Sequence, residues 1–157
     1  MKRILFDCGT RDASASLGLL WLRVTIGLMM MLGHGIPKLL NFKSIVAKGF
    51  PVPDFFPLKW MSPSVSLAAT IGAEVLAAAL IVLGLLTRPA AFVLGFTMVV
   101  AAFSVLSGAP WFLAPGVSSA KEPALLYLVP MIAIILAGPG GYSLDASIYK
   151  DGKRRRW

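Results

Sequence analysis

Two ionisable side chains stand inside long apolar runs: Arg23 in LGLLWLRVTIGLMMML, and Glu74 in a stretch dense in Ala, Leu and Ile. A charge placed in hydrocarbon costs about 3 kcal/mol or more unless it is paired, so an intramembrane charge points to a partner or a function. At a helical rise of about 1.5 Å per residue, the two lie at depths that an arginine side chain can bridge. The sequence therefore predicts a buried Arg23–Glu74 ion pair, which could either lock two helices in register or line a site.

Spacing extends the first of these positions into a stripe. At about 100° per residue, Arg23, Gly27, His34 and Lys38 fall on one face of the first apolar run, from mid-membrane to its far surface. Gly27 would leave room beside Arg23 for a helix or a flat ligand to approach closely. A histidine at this place suits proton exchange with a bound quinol or quinone; it would serve equally as an interfacial residue with one nitrogen in water. The stripe reads as a pocket wall or as a packing face with a snorkelling polar end.

The elements that must position these residues follow from composition. Of 157 residues, 57% are hydrophobic and only 14% charged, with mean hydropathy +0.80. A soluble domain runs nearer half apolar and a quarter charged, so one small core cannot absorb the excess. The partner this implies is a lipid bilayer. The 15 Gly and 11 Pro are scattered without period, which excludes a collagen-like chain, and no internal repeat is visible. One cysteine, Cys8, and one histidine exclude an internal disulfide, a Cys-x-x-Cys pair, a thiolate zinc site and bis-histidine haem. No intrinsic metal, haem or flavin site is expected, and redox chemistry would have to borrow its cofactor.

Length allows four spanning helices of about 20 residues. The predicted spans are 17–36, 65–86, 90–106 and 123–137, an all-α integral membrane four-helix bundle forming a single domain over 1–157. Pro37 predicts an end or kink near 33–36. The connector 41–63, basic and aromatic, suits a loop or short amphipathic helix at the headgroup level, and Ser62 and Ser64 around Pro63 offer an N-cap for the next helix. Thr87-Arg88-Pro89 predicts a tight stop between the second and third spans, and Pro130 a kink in the fourth. No cleavage site follows the polar N-terminal stretch, so that stretch is expected to remain. Nine basic residues fall on the side of the termini and five on the other, which turns the net charge of +8 from a hint of nucleic acid into a topology signal. Both termini are expected to be cytoplasmic, with no nucleic-acid partner.

The motifs are similar to those of the DoxX family of small four-helix membrane proteins. Arg23, Gly27, Gly33-His34-Gly35 and Lys38-Leu39 resemble its first-helix pattern, and Glu74 followed by Gly84-Leu85-Leu86-Thr87-Arg88 its second. Glu122 and the segment Gly138-Pro139-Gly140-Gly141-Tyr142-Ser143-Leu144-Asp145 resemble its last-span signature, departing from it at Gly141, where an arginine is common. The resemblance implies a multi-pass bacterial inner-membrane protein in a quinone-linked oxidoreductase system. Together with the residue pattern, it casts Arg23, His34 and Glu74 as catalytic and Gly27, Lys38 and Glu122 as substrate-binding residues around a quinone headgroup. An oxidoreductase partner would supply the electrons, and the chain could form homo-oligomers. The alternatives are a non-enzymatic anchor or assembly scaffold for a soluble oxidoreductase, and a small-solute transporter.

Overall fold

The long helices of this chain are apolar on every side, so caps, prolines and glycines decide where each begins and turns. The computed structural model describes residues 9–10 and 12–154, with no strand among them. Lys2, Arg3, Cys8, Arg11, Arg155, Arg156 and Trp157 lie outside the described residues, and with them the expectations for the N-terminal stretch and much of the terminal charge count. The helices are α1 (Ala13–Leu40), α2 (Phe42–Lys48), α3 (Pro63–Leu83), α4 (Thr87–Val105), α5 (Glu122–Ala137) and α6 (Leu144–Arg154). Of these, α1, α3 and α4 are long and apolar enough to cross a bilayer, and α5 is a shorter apolar helix of 16 residues.

Local chemistry accounts for the starts. The Asp12 carboxylate accepts the Ala15 amide at 2.8 Å and caps α1. Ser62 accepts the Val65 amide at 3.3 Å, with Pro63 in the first turn, as the sequence predicts for α3. The connector before it carries the short helix α2 and a single 3₁₀ turn, Leu58–Trp60.

Two boundaries correct the sequence reading. Thr87, Arg88 and Pro89 do not form the stop between helices; they are the first turn of α4, where proline removes only an amide that a helix start leaves unpaired. The turn itself is Gly84–Leu86. Gly84, at φ +71°, ends α3 in the left-handed conformation that glycine adopts without a Cβ penalty, and Leu86 follows at φ +48°. The hairpin is as tight as expected, displaced by three residues.

The second correction concerns Pro37, where an end or a kink is expected and only the end is overturned. Helix α1 does not end at 33–36 but runs on to Leu40 through one wide, π-type turn, in which the Ile36 amide bonds the Met31 carbonyl five residues back. Widening this turn moves the Gly33 carbonyl away from the proline ring, so the chain stays helical. The same five-residue bond appears in α3, from Ala78 to Ala73, and at the end of α4, from Leu106 to Ala101 at 2.9 Å. All three wide turns lie around one region of the bundle, described below.

Helix α1 packs on the second half of α3, and α4 packs most extensively on α5. The buried contacts are built from small and flexible residues such as Ala73, Ala78, Ala91, Met98, Ala102 and Met131. Small side chains let helix backbones approach where lipid offers no hydrophobic drive for association. Trp21, Phe92, Leu126 and Leu136 lie exposed on the outside, as a lipid-facing surface requires.

Candidate functional site

The charged residues within the apolar helices separate into two clusters. At the hairpin end, Arg23 is fully buried and donates from Nη1 to the Ile81 carbonyl at 3.1 Å and from Nη2 to the Tyr142 carbonyl at 2.6 Å. The start of α6 closes over it. Asp145, also fully buried, accepts the Leu86 amide at 2.8 Å, the Thr87 amide at 2.9 Å and the Thr87 hydroxyl at 2.8 Å, while its own amide donates to the Gly84 carbonyl. A carboxylate from the C-terminal helix thus caps the N-terminus of α4, where both the free amides and the helix dipole favour a negative charge. A Cβ on Gly84 would stand 2.3 Å from Arg23 Nη1, so the guanidinium is hemmed in by backbone.

Arg23 and Glu74 therefore do not pair, contrary to the sequence expectation. Side chains on a helix lean toward its N-terminus. On antiparallel helices this sends Arg23 toward the hairpin and Glu74 toward the opposite end, so the two point apart. The backbone carbonyl that Arg23 reaches, Ile81, lies seven residues or about 10 Å along α3 from Glu74.

Glu74 instead forms a salt bridge with Lys38, through its Oε1. Gly35 makes this meeting possible: a Cβ there would lie 2.8 Å from the Glu74 carbonyl oxygen, so only glycine lets α1 approach α3 this closely. The carboxylate is almost wholly buried, with 5% of the side chain exposed, and its second oxygen, Oε2, has no hydrogen-bond partner. Beside the pair lies a cavity of about 360 Å³ lined by Met30, His34, Lys38, Glu74 and Tyr127, with Ala101 and the connector 113–120 completing its wall. The His34 ring meets Tyr127 edge to face, centroids 5.5 Å apart. Each wide helical turn contributes to this wall: His34 from α1, Glu74 from α3 and Ala101 from α4. Such turns rotate a side chain out of the regular helical register, and they concentrate at functional sites.

Of the residues put forward from the sequence, the structure brings His34, Lys38 and Glu74 together and leaves Arg23, Gly27 and Glu122 elsewhere. Gly27 faces α3, where a Cβ would lie 2.5 Å from Val82 Cγ2; the neighbour it admits is a helix. Glu122 accepts the Leu113 amide at 2.9 Å and so braces the connector that roofs the cavity. Gly141, the departure noted in the last-span signature, donates its amide to the Ser16 hydroxyl at 3.1 Å and seats the turn after α5 on α1. Tyr127 is the lining residue that sequence reasoning passed over. Its signal was present, a hydroxyl-bearing ring inside an apolar span and five residues after Glu122.

Helices long and apolar enough to cross a bilayer define a multi-pass membrane protein, and the largely apolar cavity that carries His34, Lys38 and Glu74 is its candidate site. A family model described as DoxX matches residues 18–107, and the chain belongs to that family, whose members are generally linked to membrane oxidoreductase function. An uncharacterized protein of Haemophilus influenzae is 31% identical over 133 residues, covering 84% of this chain and 91% of that protein. No solved structure matches.

Proposed function

We propose that the cavity beside Lys38 and Glu74 binds a quinone headgroup, and that the protein serves as the quinone-binding membrane subunit of an oxidoreductase system in a bacterial inner membrane. The observation that carries this is the unpartnered Oε2 of a buried carboxylate at a cavity wall. A buried acceptor without a donor is unfavourable by about 1–3 kcal/mol, which an incoming hydroxyl relieves. The cavity volume of about 360 Å³ falls within the usual range of small-molecule sites.

In this reading Lys38 donates a hydrogen bond to one ring oxygen, and Glu74 Oε2 accepts one from the hydroxyl of the quinol form. Reduction of the bound quinone takes two electrons from a separate oxidoreductase and two protons, one for each ring oxygen, which enter from outside past His34, exposed at the cavity edge and set against Tyr127. Helix α5, about 24 Å long, makes a fourth crossing with the help of its flanking turns, which returns both termini to one side, the cytoplasmic one by the charge count.

Binding measured on purified protein in lipid nanodiscs tests the site. Glu74→Gln is expected to weaken quinol binding about tenfold or more while the protein still melts cooperatively. Arg23→Met, altered in the other cluster, is expected to lower the melting temperature and leave binding per folded molecule intact. Unchanged affinity in folded Glu74→Gln protein would sink the proposal.

A further inference from the structure

The headgroup cavity is not closed on its far side. Lys38, Glu74, Met98, Ala101 and Leu106 also line a second cavity of about 230 Å³, so the ion pair stands between the two. That second cavity shares Pro53, Ser66, Thr70, Thr97 and Val100 with a third, again about 230 Å³, lying between α3 and α4. Its outer rim is Phe92, Val93 and Phe96, all exposed on the lipid-facing side of α4. The three cavities thus adjoin through shared walls along a line from Glu74 to the lipid-facing side of α4.

The chemistry of the path is specific. Three hydroxyls line it, and each already donates to a backbone carbonyl: Ser66 to Pro51 at 2.9 Å, Thr70 to Ser66 at 2.9 Å and Thr97 to Val93 at 3.0 Å. With its donors spent internally, the groove offers an incoming group little but apolar surface. The chain over it, running from Pro51 to Met61, is held at Ser66 and by the Asp54 amide on the Ser104 hydroxyl at 3.1 Å, which makes a strap across the groove and keeps it narrow. Water-soluble ligands gain nothing from such a route.

We infer that the ligand of the Lys38–Glu74 cavity is an amphiphile with a long hydrocarbon tail, which enters sideways from the bilayer between α3 and α4 and lays its tail in the groove beneath the strap. The inference rests on the headgroup reading and adds the substrate class and the route. The unpartnered Glu74 oxygen anchors the polar end of this path, and the exposed Phe92 and Phe96 rings, stacked 6.5 Å apart, flank its lipid end.

Two probes test it in nanodiscs: a short, water-soluble benzoquinone, and the same ring carrying a decyl chain. Thr97→Trp fills the groove, and Val93→Trp, at a lipid-exposed position, narrows its mouth with little risk to folding. Each variant is expected to weaken binding of the decyl probe about tenfold and to leave the short probe unchanged. Unchanged affinity for the decyl probe in folded variants would mean that ordinary lipid occupies the groove, and would overturn the inference. So would equal weakening of both probes. If the native protein binds the short probe and the decyl probe alike, and the variants change neither, only the tail route fails; binding of neither probe would overturn the headgroup reading as well.

Discussion

Arg23 and Glu74 are both buried among apolar helices, yet protein closes in on one while the other borders a cavity. Around Arg23 the fold supplies two backbone acceptors, a capped helix and a tight glycine turn; the Arg23 Nε lacks a hydrogen-bond partner but is packed in by protein. Around Glu74 it supplies one lysine, an unpaired oxygen and open volume on two sides. The first arrangement joins four segments, α1, α3, the start of α4 and the start of α6, and leaves no room for a ligand. The second leaves a binding requirement unmet. Burial of a charge in a membrane thus has two distinct meanings in one small protein, and open volume rather than partner count tells them apart, since Arg23 Nε and Glu74 Oε2 are both unpartnered but only Glu74 lines the cavities.

The comparison breaks most severely if the closed cluster proves dispensable. Asp145→Ala removes three hydrogen bonds to a buried carboxylate and uncaps α4, an expected loss of about 4 kcal/mol, read as a large fall in melting temperature in detergent. A variant that melts like the native protein would show that the latch does not hold the bundle together.

A smaller effect sharpens the open cluster. Lys38→Met strands the Glu74 carboxylate, at an expected cost of about 2 kcal/mol, moderated because 27% of the Lys38 side chain is exposed. Adding Glu74→Gln is expected to restore most of that stability without restoring quinol binding, which separates the structural from the functional share of the pair. Additive losses in the double variant would mean that the two side chains are not coupled.

The smallest expected effect concerns a charge outside both clusters. The Asp12 carboxyl is held below the usual carboxylate range, chiefly by the Ser14 hydroxyl and then by the Ala15 amide. Because the folded value is depressed, its contribution to α1 is present above the ordinary carboxylate pKa and fades as pH falls through the lower folded value. Amide exchange at Ser14 and Ala15 is expected to quicken slightly in acid, and Asp12→Asn to flatten that dependence. A steep acid loss of the whole fold traced to Asp12 would contradict its exposed position.

How much was legible depended on the kind of signal. Ser62-Pro63 announced the start of α3 because a cap acts within one turn, whereas Thr87-Arg88-Pro89 placed the hairpin three residues late, because Pro89 suits a first helical turn as well as a stop. His34, Lys38 and Glu74 were recognisable as polar residues in apolar runs. The Arg23–Glu74 pairing failed because depth along two helices ignores the direction in which side chains lean. The bond from the Leu113 amide to Glu122 was not legible, because a glutamate opening a helix serves a neighbouring backbone amide as readily as a ligand.

By itself, the sequence determined a membrane solvent, the approximate extents of the apolar helices and the short list of residues able to carry charge there, because hydrophobicity and capping are local properties. Only the tertiary structure decided which charges are satisfied. Lys38 and Glu74 are 36 residues apart and Arg23 and Tyr142 are 119 apart. Such pairings depend on helix register, on the wide turns that rotate His34 and Glu74 into the cavity wall, and on a glycine that admits one backbone against another.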